Sequence, residues 1–317
     1  MLLELKFVQG AVAKKELIPS LTHFRIEGGR VRSFNGMLAL CSPIAFDIDC
    51  SPKAIPFVKA IQNCNDTVTL NMTTNGRLSV KSGPFNALIE CVTEETPHVE
   101  PEGIEFQIDG EALLKALKVI APFIGNDASR PWTNGVLLRG QSAFATNNVT
   151  LIEYWVGTPF PLTCNVPRDA IREMVRIGEP PTHAQADGRS ITFHYSGGRW
   201  VRTNLLSAEW PDLAPILETT GQMAQFPESI FEGLEALRPF LDKLNRVYFN
   251  GHGLSTTAED SDGAHYKIAD WPHEGIYAWP MLMLLKDVAK WIDFSSYPKP
   301  CIFQGDRLRG AIIGMRL

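Results

Sequence analysis

Three similar turns recur along the chain at equal intervals, and this repeat constrains the fold more than any other feature. They fall at Gly29 in FRIEGGRVRS, Gly140 in VLLRGQSAFA and Gly251 in VYFNGHGLST, both intervals being 111 residues. Apolar and polar residues alternate around each turn, so each reads as a β-hairpin. Downstream stand Pro52, Pro167 and Pro280, 115 and 113 residues apart, each opening a helix-like segment: SPKAIPFVKAIQN, VPRDAIREMVRIG and WPMLMLLKDVAKWI. Proline suits a helix entrance, where its missing N–H would have no partner anyway. Strands closing on glycine turns follow: PFNALIECV after Gly83, RWVRTNLLS after Gly197 and Gly198, and RLRGAIIGMRL after Gly305. A further helix precedes each hairpin, in AVAKKELIPSL, GEALLKALKVIAPF and PESIFEGLEALRPFLDKL. In the second of these Leu113, Leu114, Leu117 and Ile120 form one apolar stripe.

The order helix, strands, helix, strands, met three times, predicts an α+β chain of three tandem domains, each with two helices packed on β-sheet. TPHVEPEG (Thr96 to Gly103) and ETTGQMAQ (Glu218 to Gln225) lack apolar periodicity and read as linkers. The expected domains are 1–103, 104–221 and 222–317, each of a comfortable size for one core.

Few chemical classes remain open. Hydrophobic residues make up 44% and charged ones 21%, the balance of a globular chain. No apolar run reaches membrane-spanning length and MLLELKFVQG lacks the order of a signal peptide, so a cytoplasmic protein is expected. The six cysteines are scattered without CxxC pairs, which predicts free thiols and no metal site. There is no Walker loop, GxSxG elbow or HExxH. DSDG (Asp260 to Gly263) reads as a hairpin turn rather than a calcium loop. No catalytic constellation and no cofactor is expected.

Charge is unevenly spread. The chain carries −5 overall, yet residues 51–64, 166–178 and 279–292 hold seven Lys or Arg against three acids, a net of +4, leaving −9 elsewhere. Arg168, Arg172 and Arg176 recur every four residues and so line one side of their helix, while Ala170, Ile171, Met174 and Ile177 face elsewhere. Lys286 and Lys290 repeat that spacing, and Lys53 and Lys59 mark the first unit. One basic helix is an ordinary solvated face. Three equivalent ones on an acidic chain suit a surface that holds a phosphate backbone without reading sequence. Glu228, Glu232 and Glu235 on the first helix of the third unit oppose this.

These residues resemble a known family, the bacterial DNA sliding clamp, the beta subunit of the replicative polymerase (DNA polymerase III). RPWTNGVLL with ATNNVTLIEYWV is similar to its hairpin around Thr-Asp-Gly-x-Arg-Leu, and NVPRDAIREMVRI to its second helix in the middle domain. LLSAEWPDLAPIL resembles its Phe-Pro-Asp-Tyr segment, and the ending IIGMRL its Met-Pro-Met-Arg-Leu. Specific motifs begin only near Ser129, and the chain is shorter than usual, which fits a divergent, phage-encoded member in a host cytoplasm.

The resemblance implies a head-to-tail homodimer closed into a ring around duplex DNA, tethering the replicative polymerase, with a clamp loader where one is needed. It implies a partner-peptide pocket built from Thr133, Thr146, Asn148, Val149, Thr150 and Leu151, with Pro211 and Ile216, and with Ile302, Ala311, Ile313, Met315 and Leu317. Asn147-Asn148-Val149-Thr150 replaces the family's Asp-Gly-x-Arg and Gly314 its terminal proline, so a basic rim is lost. Arg130 and Trp132 stand where the family has a DNA-contacting loop; Trp132 beside Pro131 equally suits plain packing. Phe240 and Leu241 are placed in the dimer contact. Charge reversal at Arg172 and Arg176 is expected to weaken DNA retention with the fold intact. Two readings stand beside this one: a monomeric processivity factor binding DNA on one face, and an enzyme with a dispersed active site.

Overall fold

The computed structural model describes every residue except 16, 17, 95, 219, 220, 260, 261 and 317. Leu317, and Asp260 at the head of the DSDG turn, therefore lie outside the described residues. The first third of the chain runs α1 (Leu2–Val8), β1 (Arg25–Glu27), β2 (Arg30–Phe34), β3 (Leu38–Pro43), α2 (Ala54–Gln62), β4 (Thr69–Met72), β5 (Leu78–Ser82) and β6 (Phe85–Ile89). The middle runs β7 (Ile104–Gln107), α3 (Gly110–Ile120), β8 (Gly135–Arg139), β9 (Ser142–Thr146), β10 (Thr150–Trp155), β11 (Cys164–Pro167), α4 (Arg168–Ile177), β12 (His183–Ala186), β13 (Ser190–Tyr195) and β14 (Arg199–Asn204). After α5 (Ala214–Leu217) and β15 (Ala224–Gln225) come α6 (Ser229–Leu237), β16 (Arg246–Asn250), β17 (Gly253–Ser255), β18 (His265–Lys267) and β19 (Glu274–Ala278). Last are α7 (Trp279–Met283), β20 (Trp291–Ile292), β21 (Cys301–Gly305) and β22 (Leu308–Ile312).

These elements gather into two compact units. One comprises Met1–Leu114 and Val166–Leu205, the other Lys115–Asn165 and Leu206–Leu317. The first unit holds a seven-stranded sheet, β1-β2-β3-β14-β13-β12-β7, and a three-stranded one, β4-β5-β6. The second holds an eight-stranded sheet, β11-β8-β9-β10-β22-β21-β20-β15, and a four-stranded one, β18-β17-β16-β19. Each long sheet joins two successive repeats in the same way: the strand after the hairpin pairs antiparallel with the closing strand of the next repeat. In the first unit this is β3 on β14, from Trp200↔Cys41 to Thr203↔Leu38. In the second it is β10 on β22, from Thr150↔Ile312 to Tyr154↔Leu308.

All three predicted hairpins form, with a correction of one residue in the first. Glu27↔Arg30 and Arg139↔Ser142 close two-residue turns, so the counterpart of Gly140 is Gly28 rather than Gly29. Gly28 and Gly29 both lie at positive φ, 57° and 66°, and either could have been taken as the marker. A slip of one residue matters because it exchanges the two faces of a strand.

Two helices depart from expectation. The first is α1, upstream of AVAKKELIPSL; in that stretch Ala11 ends one 3-10 turn and Pro19 to Leu21 fall in another, Lys14 and Lys15 are exposed, and residues 16 and 17 lie outside the described residues. Leu5, Phe7 and Val8 supply the buried side of α1. In the third repeat the helix stops at Met283. Trp291 and Ile292 are drawn into a ladder with Gln304 and Phe303, and Lys290 N–H bonds the Gln304 carbonyl at 2.7 Å. Lys286 and Lys290 therefore do not share a helix face.

In the first unit α4 is held by an ion pair beneath its exposed arginines. Glu173 is buried and accepts from Arg176 Nε at 2.9 Å on both carboxylate oxygens, while Arg176 Nη2 donates to the Phe7 carbonyl at 3.0 Å. Gly10 lies so close that a Cβ there would fall within the Glu173 carboxyl group. Arg176 is thus tied into the fold although its side chain is 46% exposed, so its reversal is expected to cost more stability than that of Arg172. Arg176→Glu should lower unfolding free energy by about 3 kcal/mol because it leaves a buried carboxylate without its partner. Arg172→Glu, at an exposed position, should change it by less than about 0.5 kcal/mol. Chemical denaturation of the two variants makes the comparison.

Candidate functional site

In the second unit the turn after β9 is built on Asn147. Its Oδ1 accepts from the Val149 N–H at 3.1 Å, the Thr150 N–H at 2.8 Å and the Thr150 hydroxyl at 3.0 Å. Thr146 Oγ1 accepts from Asn148 N–H at 3.1 Å and donates to the Thr150 carbonyl at 2.7 Å. Asn148 can then sit at φ 72°, a left-handed position that asparagine tolerates. This is how Asn147-Asn148 does without the family's glycine.

The chain terminus is strapped beside this turn. Ile313 N–H bonds the Val149 carbonyl at 2.9 Å, Met315 N–H bonds the Ile276 carbonyl at 2.7 Å, and Tyr297 OH donates to the Met315 carbonyl at 2.9 Å. Gly314 lies against the Tyr297 ring, where a Cβ would overlap ring carbons. That contact accounts for the residue found in place of proline. Leu151 pairs with Ala311, and Ala311 with Ile302, within the sheet. Thr133 is fully buried and its hydroxyl donates to the Arg130 carbonyl at 2.9 Å.

The residues placed in a peptide pocket thus fall into two groups. Thr133, Thr146, Thr150, Leu151, Ile302 and Ala311 are buried and fix the backbone. Asn148, Val149, Ile216 and Met315 are half-buried, and Pro211 and Ile313 are exposed. Ile216 leans on an apolar cluster of Leu137, Phe144, Leu151, Leu213 and Leu217. Arg309 ties this region together, bonding Glu153 at 2.6 Å and the Leu217 carbonyl at 3.2 Å. Asn147, Tyr297 and Arg309 were absent from the sequence-derived set. Only Asn147 carried a signal, as an Asn-Asn turn between alternating strands.

The basic residues are unequally placed. In the first unit Arg172 and Lys59 are exposed, Arg168 and Lys53 half-buried, with Lys53 at 4.0 Å from Glu90. In the second unit Lys286 and Lys290 are exposed but line a cavity of about 970 Å³ with Glu228, Glu232, Glu235 and Asp306, and Lys290 bonds Asp306 at 2.6 Å. Acids facing those lysines offset the local positive potential. Arg130 is exposed; Trp132 is half-buried, edge-on to Trp210 at 5.1 Å, and its carbonyl accepts from Asn165 Nδ2 at 2.9 Å. Phe240 is 64% exposed and Leu241 half-buried. Among the described residues no group of three or more His, Cys, Asp or Glu could hold a metal ion, and no helix is long and apolar enough to cross a membrane.

No protein-family model matches the sequence, and no curated protein matches it. Solved structures do. The chain is similar to a DnaN sliding clamp (DNA polymerase III subunit beta) of Bartonella birtlesii bound to griselimycin, at 15% identity and a TM-score of 0.86, covering 100% of this chain and 97% of that one. A Caulobacter crescentus beta sliding clamp gives the same identity, score and coverage. A Helicobacter pylori beta clamp bound to a DNA ligase peptide matches at 14% identity and a TM-score of 0.77, over 99% and 96%. The chain has the sliding-clamp fold, over its whole length.

The Asn147 turn generates a direct test. Asn147→Ala removes the acceptor for three donors and should lower unfolding free energy by about 1–3 kcal/mol. Hydrogen exchange should show faster exchange at the Ile313 amide, which hangs from the same turn.

Proposed function

We propose that this chain is a sliding clamp: a non-enzymatic processivity factor that encircles duplex DNA and tethers a replicative polymerase through short peptides. The reading rests on the likeness to clamps from one end of the chain to the other. It divides the chain into domains 1–103, 104–221 and 222–317, acting in the cytoplasm, with a loader where closure needs one.

The pairing of the repeats supports a ring. The strand after each hairpin takes the closing strand of the next repeat, β3 with β14 and β10 with β22. In the third repeat the corresponding strand is β18, an edge; in the first the closing strand is β6, also an edge. Continuing the series pairs β18 of one copy with β6 of a second, head to tail. The hairpin turns align Tyr266 with Tyr154 and Phe85 with Leu308, and Tyr154 pairs with Leu308. The register across copies would therefore set Tyr266 against Phe85 and Ala264 against Ala87. Phe240 and Leu241 would contribute apolar contacts nearby.

DNA would be held by Arg168 and Arg172 on α4, with Lys53 and Lys59, through long-range attraction without base contacts. Arg130, Trp132, Arg176, Lys286 and Lys290 complete the proposed DNA surface, the last two weakly because acids face them. Tethering raises the local concentration of polymerase at the primer end. The peptide would bind over Asn148, Val149, Pro211, Ile216, Ile313, Met315 and Leu317, above the buried Thr133, Thr146, Thr150, Leu151, Ile302 and Ala311. The H. pylori clamp's DNA ligase peptide is the kind of ligand this supports. With threonine at 150 in place of arginine, apolar contacts would outweigh charge.

Two substitutions separate the parts. Leu88→Pro removes a backbone donor from the open side of β6, because Leu88 aligns with Ala311, two residues before the Ile313 N–H that bonds Val149, and it should convert a dimer into monomers in sedimentation. Arg172→Glu should leave the dimer intact yet weaken DNA retention about tenfold at moderate salt. A monomeric parent chain, or unchanged retention by Arg172→Glu, would count against the proposal.

A further inference from the structure

The first unit contains two cysteines that the clamp reading does not use. Cys50 exchanges backbone hydrogen bonds with Ile26, at 2.9 and 3.1 Å. Two residues on, Pro52 pairs with Cys91, flanked by Lys53 N–H to the Glu90 carbonyl at 2.8 Å and Val92 N–H to the Ser51 carbonyl at 3.1 Å. Side chains two apart on a strand share a face, so Cys50 lies diagonally across from Cys91. Both line one cavity of about 710 Å³, with Arg25, Arg32, Phe34 and Trp200 on its other walls. Cys50 is 5% exposed, Cys91 half-buried.

We propose that Cys91 and Cys50 form a redox-active dithiol, Cys91 reacting with hydroperoxides and Cys50 resolving the product. The Cys91 thiolate attacks the terminal peroxide oxygen and the O–O bond breaks. Cys91 becomes a sulfenic acid and the peroxide leaves as an alcohol, or as water from hydrogen peroxide. The Cys50 sulfur then attacks the Cys91 sulfur, an S–S bond forms, and the sulfenic hydroxyl leaves as water with the Cys50 proton. Two thiols lose two electrons and one hydroperoxide gains them. A partly exposed thiol with a second one in reach is the arrangement this chemistry needs.

The electrostatics agree. Contact with Cys50 holds the Cys91 thiol below its ordinary value, against some opposition from burial. Contact with Cys91, together with burial, pushes the Cys50 thiol up, so Cys50 keeps its proton until it attacks. Burial alone pushes Cys164 up to about 12, and burial together with the Asp293 carboxylate raises Cys301 to about 11. Cys64 is the natural control: it is half-buried and bonded to a backbone carbonyl, Ala60 at 3.2 Å, as Cys91 is to Ile89 at 3.8 Å, but it lines no cavity with a second cysteine.

The test treats the full chain with hydrogen peroxide at neutral pH, alkylates under denaturing conditions and maps the peptides. The expected main product is a Cys50–Cys91 linked peptide with Cys41, Cys164 and Cys301 still alkylatable. In Cys50→Ala, Cys91 should stop at a sulfenic acid captured by dimedone. On the unmodified chain, iodoacetamide should label Cys91 faster than Cys64 at pH 7. Equal labelling of Cys64 and Cys91, or peroxide treatment that yields no linked peptide, would overturn the proposal. Neither readout involves DNA, so failure here is distinct from failure of the clamp reading.

Discussion

The structure depends above all on one backbone interaction, the antiparallel ladder between the strand after one hairpin and the closing strand of the next repeat. Backbone N–H and C=O groups on these strands must find partners, and a single repeat cannot supply them. β3 finds β14 and β10 finds β22, so each long sheet runs through two repeats. The same ladder shapes the proposed partner surface. Because Thr150 pairs with Ile312, the residue after β22 arrives beside the Asn147 turn, and Ile313 bonds the Val149 carbonyl. The proposed partner surface is therefore a by-product of sheet pairing, assembled where a strand ends rather than where a loop was shaped separately.

Charge follows a second logic. α4 buries Ala170, Ile171 and Met174 and turns Arg172 outward, with the buried Glu173 neutralised by Arg176. One acid inside and one arginine spent on it leave a helix face that is basic without a large desolvation cost. In the second unit the lysines after α7 meet the glutamates of α6 across a cavity instead. Attraction for a polyanion should accordingly be carried more by the first unit's helices than by the third repeat. The sequence already set Glu228, Glu232 and Glu235 against a basic third repeat; that they line one cavity with Lys286 and Lys290 emerges only on folding.

The repeat was legible because hairpin turns, helix-opening prolines and closing strands each have a local chemical signature, and all three recur in order. What failed were matters of register and competition. Gly28 and Gly29 are equally good turn residues, and only the Glu27↔Arg30 pairing decides between them. The stretch from Trp279 has helical spacing, but Lys290, Trp291 and Ile292 gain more from the Gln304 and Phe303 ladder. Arg176 has the spacing of a surface arginine, and its tie to Phe7, 169 positions away, is invisible until the chain folds. Of the candidate site, the hairpin threonines and the terminal strand could be named only through the resemblance that their motifs carry. Tyr297 could not, since nothing local says that its hydroxyl will hold the Met315 carbonyl.

The central claim is that two copies close into a ring that holds DNA topologically. The most direct measurement combines native mass with retention on DNA circles. The account predicts the mass of a dimer, and a complex that survives high salt on a nicked circular duplex but is lost once a single cut makes the circle linear. A monomer mass, or equal retention on circular and linear DNA, would contradict it.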